Sequence, residues 1–432
     1  MITVTDNPPN QLLQSGMFFS FFPHLNEFSR TPRDLIADLI AGTTVAIVAL
    51  PLAIGFGITS GMSASAGITT AIIAGFLSAL FGGSKYQVSG PTGAMTVILI
   101  PVIQKFGPTA IPALGVMAGV MVILMAIFKL GAFINRVPWA VVEGFTVGIA
   151  LVISLQQIPL ALGIAKGDGD KTLPVALHTI QNAVDLGINK TSLLVVFLTL
   201  VIKFNFPRFV KNLAFHIPAS FISLLVVTIF VKILSLDVAT IGSIPRSLGN
   251  YNAPSFSDFN NLFIPALWIA MLAGVESLLS ARVADGMAHE QKHFDPNREL
   301  FGQGIATVAA SVLGGMPATG AIARTSVNVR SHANSRMASI LHAVVLLLIV
   351  LIAAPIVSYI PTAAIAGVLL GTSYRILNPT SIIESLRTTK TEAATLIVTA
   401  FSVLTIDLIW GMFIGIALHL LMNRIKVRTW KA

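Results

Sequence analysis

Two hexapeptides that share a Pro followed by Thr-Gly-Ala lie about half the chain length apart in this 432-residue chain. They are Ser89-Gly90-Pro91-Thr92-Gly93-Ala94 and Met316-Pro317-Ala318-Thr319-Gly320-Ala321, and a Gly-Gly pair precedes each of them. Both open apolar runs of only about ten to thirteen residues, which would form roughly 15–20 Å of helix. The repetition predicts two short helices at equivalent positions of an internal repeat.

The composition of the chain is that of a membrane protein. Hydrophobic residues make up 55% and charged residues 10%, with a mean hydropathy of +0.85, whereas soluble domains carry about 25% charged residues. The absence of cysteine excludes disulfides, thiolate metal sites and cysteine nucleophiles. The net charge of +9 comes from basic residues scattered between apolar segments, so we expect no nucleic-acid partner.

Apolar runs of about 17–25 residues can cross a bilayer, and the chain offers fourteen candidate segments. We therefore predict an all-α polytopic membrane protein with a lead-in at 1–37, a transmembrane domain at 38–422 and a tail at 423–432. Most of the 27 basic residues lie between segments on the side of the N-terminus, so the positive-inside rule places both termini in the cytoplasm. The segments are 38–60, 63–81, 92–104, 109–128, 137–158, 191–206, 217–236, 262–284, 297–314, 319–329, 337–354, 356–374, 390–406 and 408–422.

The third and tenth segments are too short for a hydrocarbon core of about 30 Å. Short, Gly/Pro-interrupted segments at matching positions of two halves indicate the binding site of a secondary transporter, and seven segments in each half make the repeats inverted. Helix N-termini carry partial positive charge and unpaired N–H groups. The helix starts at Thr92–Ala94 and Thr319–Ala321 therefore predict an anion site.

Two ionisable residues within the segments fit such a site. Arg324 lies about one turn beyond the second hexapeptide, and Glu276 lies midway along the eighth segment, where charge is costly. Protonation of Glu276 would remove its repulsion of a bound anion, so the proton and the anion would favour each other's binding. Two structural alternatives stay open, namely an ion pair of Arg324 with Glu276 and a protonated Glu276 that bonds a neighbouring helix.

One motif suggests different chemistry. His289-Glu290-Gln291-Lys292-His293 matches the H-E-x-x-H signature of zinc proteases, which makes an intramembrane protease the enzymatic alternative. The motif lies in a polar loop closed by Asp295-Pro296, and zinc chemistry needs both histidines on one helix face with a third ligand. We therefore predict a protein that is not an enzyme and has no metal site and no cofactor.

The sequence resembles the sulfate permease superfamily over nearly all of residues 34–422. The matching blocks are Gly82-Gly83-Ser84-Lys85, the first hexapeptide, Gly274-Val275-Glu276-Ser277-Leu278-Leu279 with Val283-Ala284-Asp285-Gly286, Asn297-Arg298-Glu299-Leu300 with Gly302-Gln303-Gly304, and Thr319 to Thr325. The resemblance implies a uracil-permease-like fold of two inverted seven-span repeats in which spans 3 and 10 are half-helices. Spans 1–4 and 8–11 would form a core domain, and spans 5–7 and 12–14 would form a gate domain.

The same resemblance implies elevator-like alternating access, usually in a homodimer, with the anion between the two half-helix N-termini. Glu276 would be the coupling carboxylate. The substrate-binding residues implied by position, with those at the helix starts, are Phe56, Thr92, Gly93, Ala94, Gly320, Ala321, Ile322, Ala323 and Arg324.

Three departures from the family pattern bear on function. Many members have Gln where this chain has Leu52. Sodium-coupled bicarbonate members have Asp in place of Glu276 and Thr in place of Ile322, and the missing hydroxyl argues against a sodium site, although backbone carbonyls and Ser280 could supply oxygens. Most members continue into a STAS domain (sulfate transporter and anti-sigma-factor antagonist), whereas here residues 423–432 follow the last segment, as expected of a naturally short or a shortened chain.

These observations predict a proton-coupled symporter of a small oxyanion or dicarboxylate in the inner membrane, with sulfate as the default substrate. The alternatives are sodium-coupled bicarbonate uptake and an anion exchanger or channel. The expected partners are the anion, the coupling proton or sodium ion, the lipid bilayer and a second copy of the chain.

Overall fold

The computed structural model describes residues 22–23, 27–29, 31–134, 137–169, 171–209, 218–242, 249–288, 290, 293–377, 379–406 and 408–429. Within these ranges the chain is mostly helical, with one pair of two-residue strands. The elements are α1 (Pro32–Thr59), α2 (Ala64–Phe81), β1 (Ser89–Gly90), α3 (Gly93–Phe106), α4 (Ile111–Ile127), α5 (Gly131–Ile134), α6 (Trp139–Gln156), α7 (Ile158–Leu162), α8 (Thr172–Leu186), α9 (Lys190–Phe209), α10 (Ala219–Ile233), α11 (Phe259–Ala288), α12 (Pro296–Val312), β2 (Thr319–Gly320), α13 (Ile322–Arg330), α14 (Met337–Val357), α15 (Thr362–Ile376), α16 (Pro379–Thr388), α17 (Lys390–Thr405) and α18 (Leu408–Thr429).

Seven stretches of the described chain are long and apolar enough to cross a membrane. Two further apolar helices, α3 and α10, are shorter. This supports a multi-pass membrane protein, while fourteen spans in inverted repeats remain a prediction from the sequence. The seven are Pro32–Thr59, Ala64–Phe81, Pro108–Ile127, Trp139–Leu162, Lys190–Arg208, Phe259–Ala288 and Met337–Val357.

Capping side chains mark where two of the helices begin, and backbone bonds to another part of the chain delay the start of a third. The Thr31 hydroxyl accepts a bond from the Asp34 N–H and caps α1, and Ser63 caps α2 in the same way. The twelfth predicted segment, 356–374, differs from the structure, because α15 begins only at Thr362. Backbone bonds to residues 239–241 hold the preceding residues in an extended conformation instead.

Small residues allow close packing between helices. A Cβ at Gly119 of α4 would lie 2.7 Å from the carbonyl oxygen of Gly304 in α12, and a Cβ at Gly67 of α2 would lie 1.9 Å from the carbonyl oxygen of Ala53 in α1. Since real side chains do not approach so closely, glycine is required at both contacts. Without water in the bilayer, such packing holds transmembrane helices together.

The polar turn after α2 is held by a carboxylate from another helix. Glu299 of α12 is fully buried, and its Oε2 accepts bonds of 2.8 Å from the N–H groups of Gly83 and Ser84. Its Oε1 accepts a bond of 2.7 Å from Gln87 Nε2. One side chain thus satisfies three buried donors and fixes the loop that leads into β1.

Replacement of this carboxylate should lower the stability of the protein. In Glu299→Ala, two buried N–H groups lose their acceptor, at a cost of about 1–3 kcal/mol each. We expect a clearly lower unfolding temperature for the purified protein in detergent, followed by intrinsic fluorescence. The control is Glu384→Ala on the exposed face of α16, and equal unfolding temperatures for the two variants would contradict the assignment.

Candidate functional site

The two hexapeptides meet in the structure. Ser89 pairs with Gly320, and Gly90 pairs with Thr319, as antiparallel strands. Helix α3 begins directly after β1, and α13 begins directly after β2. The pairing therefore brings the N-termini of two short helices, one from each half of the chain, to one place.

Both helix starts leave N–H groups for an external acceptor. Thr92 caps α3, and its hydroxyl accepts a bond of 3.4 Å from the Met95 N–H. Helix α13 has no side-chain cap, because its N-cap position is Ala321. First-turn N–H groups have no intrahelical acceptor, so Ile322 and Ala323 present donors where the helix dipole also favours an anion.

Glu276 connects the two helix starts. Its Oε2 accepts bonds from the hydroxyl of Thr92, at 3.2 Å, and from the hydroxyl of Thr319, at 2.9 Å. Both threonines are buried. A single carboxylate of α11 is therefore bonded to both hexapeptides at the point where they meet.

Arg324 of α13 is bonded to the first hexapeptide. Its side chain is 1% exposed, and its Nη2 donates to the carbonyl oxygen of Pro91 at 2.8 Å. Its Nη1 is buried without a hydrogen-bond partner. No ion pair within 4.0 Å joins Arg324 to Glu276, although both side chains lie in the described part of the chain. The direct ion pair considered from the sequence is therefore absent from this arrangement.

A cavity of about 1380 Å³ contains most of the predicted site residues. Phe56, Thr92, Gly93, Glu276 and the stretch 321–324 all line it. Ile153 of α6 also lines the cavity and packs on the start of α3, since a Cβ at Gly93 would lie 2.3 Å from Ile153 Cδ1.

Three predicted residues lie outside this cavity lining. Ala94 is buried in the apolar core behind α3, and a Cβ at Gly320 would lie 2.1 Å from Gln87 Nε2. Ser280 is fully buried, and its hydroxyl donates to Thr325 Oγ1 at 3.1 Å. These residues shape the surroundings of the site.

Ile153 and Lys203 are among the lining residues that sequence reasoning missed. Ile153 is one apolar residue among many in its segment, and no sequence signal distinguishes it. Lys203, in contrast, is a basic residue within the predicted segment 191–206, and an ionisable group there is a signal that could have been used.

Those residues of the H-E-x-x-H motif that the structure describes form contacts between the end of α11 and the loop before β1. The Glu290 carboxylate accepts a bond of 2.6 Å from the Tyr86 hydroxyl and pairs with Lys85 at 3.0 Å. The Tyr86 bond, chiefly, lowers the pKa of Glu290 below its usual value. His293 lies 3.7 Å from Asp285, while His289 is outside the described residues. Glu290 thus joins the end of α11 to the loop before β1.

Comparison with known sequences places the chain among membrane transporters. The profile of the sulfate permease family matches residues 35–399. "Putative sulfate transporter YvdB" of Bacillus subtilis is 38% identical over 388 residues, which are 88% of this chain and 72% of that protein. The bicarbonate transporter BicA of Picosynechococcus is 32% identical over 359 residues, which are 78% of this chain and 61% of BicA. The chain thus spans about three fifths of the length of BicA.

Solved structures show the same fold. The transmembrane domain of a cyanobacterial bicarbonate transporter, BicA, superposes with a TM-score of 0.78 at 27% identity, covering 90% of this chain and 98% of that domain. The murine Slc26a9 anion transporter in the inward-facing state gives a TM-score of 0.82 at 16% identity, covering 98% of this chain and 74% of the murine chain. The sequence blocks, the fold and the family profile agree, and the chain belongs to the sulfate permease family.

Proposed function

We propose that this protein is a proton-coupled symporter of a small oxyanion or dicarboxylate, with sulfate as the default substrate. One observation carries the proposal: the carboxylate of Glu276 is bonded to both helix starts in the cavity that Arg324 lines. An anion donor set and a group able to carry a proton therefore share one site.

The donor set suits a small anion. First-turn N–H groups of α3 and α13 have no intrahelical acceptor, and both helix dipoles place partial positive charge at the cavity. The unpartnered Nη1 of Arg324 adds a charged donor. Backbone N–H groups bind sulfate, bicarbonate and carboxylates alike, so the donors support the class of substrate.

Coupling follows from the position of Glu276. Its ionised form places a negative charge beside the donors and opposes a bound anion, whereas its protonated form does not. A bound anion in turn favours protonation, and this mutual preference couples the two binding equilibria. Protonation also turns one carboxyl oxygen into a donor, so the bonds from Thr92 and Thr319 would rearrange.

The lining of the cavity supports access from the cytoplasmic side of the membrane. This lining includes Ala37 in the second turn of α1, Pro207 near the end of α9 and His332 after α13, all of which the predicted topology puts at the cytoplasmic face. At the start of α3, Ile153 of the proposed gate domain packs on Gly93 of the proposed core domain. In an elevator of fourteen spans in the inner membrane, built as a homodimer, this contact would break when the core moves.

Sodium-coupled bicarbonate uptake is the second candidate, because the BicA relatives are bicarbonate transporters. Sodium needs oxygen ligands, and Ile322 supplies no hydroxyl. The Ser280 hydroxyl is bonded to Thr325, so a sodium site there would have to reorganise that pair. These contacts favour a proton over sodium as the coupling ion. An exchanger or channel would bind the anion at the same donors without protonation and deprotonation of Glu276.

Uptake by proteoliposomes tests the proposed function. We expect accumulation of labelled sulfate, bicarbonate or fumarate under an inward proton gradient, and no additional accumulation under an inward sodium gradient. Accumulation that requires sodium would overturn proton coupling in favour of the second candidate, and anion flux that neither gradient drives would indicate an exchanger or channel.

Glu276→Gln should uncouple transport from pH. The amide keeps the size and an oxygen that can accept the Thr92 and Thr319 bonds, but it cannot exchange a proton. We expect the acid stimulation of anion uptake to be lost, measured as the ratio of uptake rates with and without a proton gradient. Retention of the wild-type ratio in this variant would exclude Glu276 as the proton carrier.

Arg324→Ala should weaken anion binding. Loss of a charged, buried donor costs about 2–5 kcal/mol when its partner stays behind, which corresponds to at least about a tenfold higher KM for the anion. The control is Arg387→Ala on the exposed part of α16. A KM that is the same in both variants would show that Arg324 does not contact the anion.

A further inference from the structure

A second buried cation lines the same cavity. Lys203 of α9 is 1% exposed, and its Nζ donates to the Val368 carbonyl oxygen at 2.6 Å and to Thr372 Oγ1 at 2.7 Å. Within the described ranges, no carboxylate lies within 4.0 Å of this ammonium group. Two neutral acceptors occupy two of its three N–H donors, and one donor is left for the cavity.

The absence of a side chain at Gly371 leaves space for the Lys203 side chain. A Cβ at Gly371 of α15 would lie 2.8 Å from Lys203 Cδ and 3.1 Å from Cε. Glycine at this position therefore makes room for the aliphatic stem and keeps the ammonium at the cavity wall. An ammonium buried in a transmembrane segment is costly, and such groups pair or face a water-filled cavity.

A neighbouring positive charge increases this cost. Arg375 lies one turn further along α15 than Gly371, which packs on Lys203, and it lines the same cavity. Its guanidinium also lies over the Phe204 ring at 6.0 Å. Two cations that repel each other are stabilised by an anion that contacts both. Among the described residues that line this cavity, Glu276 alone carries a carboxylate.

We propose that Lys203 and Arg375 form a second binding site for the transported anion, on α9 and α15 rather than on the helices that carry Arg324. The inference rests on the proposed function and deepens it, because it assigns a loading position to the small oxyanion before it reaches the helix starts. The positive charges of Lys203 and Arg375 would raise the local anion concentration in the cavity. Under the proposed domain division, one site lies on the gate domain and the other on the core domain.

Equilibrium binding of radiolabelled sulfate and bicarbonate to the purified full chain tests this site. We expect two anions per chain in the wild type for at least one of the two probes. One anion should remain in Arg324→Ala and one in Lys203→Met, and none should bind in the double variant. One anion per chain with both probes, lost in Arg324→Ala and kept in Lys203→Met, would overturn the proposal.

Charge-conserving and neutral variants separate binding from folding. Lys203→Arg should keep the second anion, whereas Arg375→Gln, at an exposed cavity position, should weaken it about tenfold or more. Lys390→Met, an exposed lysine at the start of α17, is the matched control and should bind like the wild type. Weakening in Lys203→Arg equal to that in Lys203→Met, with unaltered binding in Arg375→Gln, would indicate a purely structural lysine and overturn the site.

The binding and uptake experiments distinguish a wrong second site from a wrong proposed function. If proton coupling is wrong, uptake fails to follow the proton gradient while two anions still bind per chain. If only the second site is wrong, proton-driven uptake persists with a single bound anion that depends on Arg324.

Discussion

Two residues from each half of the chain, Ser89–Gly90 and Thr319–Gly320, pair as antiparallel strands, whereas most of the described residues are helical. A pairing this short is marginal alone, and side chains from other helices support it. Gln303 of α12 accepts a bond from the Ser89 hydroxyl at 2.7 Å and donates to the Ala318 carbonyl oxygen at 2.8 Å. Because the strands lead directly into α3 and α13, this small polar assembly fixes where both helix N-termini point.

Charged side chains that each have several bonding partners hold the loops at the ends of the helices. Asp38 of α1 accepts bonds from the N–H groups of Asn334 and Ser335, at 2.7 Å and 3.1 Å, and so holds the loop after α13. Glu27 pairs with Arg298 at 2.5 Å and with Arg336 at 2.7 Å. The residues just before α1 thereby contact α12 and the start of α14. In a membrane, where unpaired polar groups are costly, such anchors hold irregular backbone in place.

The sequence predicted those features that repeat or stand out chemically. The matching hexapeptides predicted short helices after Thr92 and near Thr319, and α3 and α13 lie there. Charge in an apolar segment identified Glu276 and Arg324, which the structure places along one cavity. The start of α15 at Thr362 depended on backbone bonds to residues 239–241, distant in sequence, which no local pattern reveals.

The site residues that the sequence did not resolve depend on packing between elements. Ala94 and Gly320 share the hexapeptides with cavity residues, yet helix rotation and the contact with Gln87 turn them away from the cavity. Ile153 acquires its position only because Gly93 lacks a side chain. Hydrophobic periodicity in the sequence indicates which face of a helix is buried. Which helix packs against that face depends on the complete fold.

The bond from Arg324 to Pro91 has a consequence for how the anion site forms. The guanidinium belongs to the second half of the chain, and the carbonyl that holds it belongs to the first hexapeptide. One terminal nitrogen is bonded and the other is buried near Gly90 without a hydrogen-bond partner, and no carboxylate among the described residues pairs with Arg324. In the proposed mechanism, both halves of the chain would position the Arg324 side chain, and its positive charge would remain available to the anion. Under the same proposal, the ionised carboxylate of Glu276 would supply the negative charge that favours release of the anion.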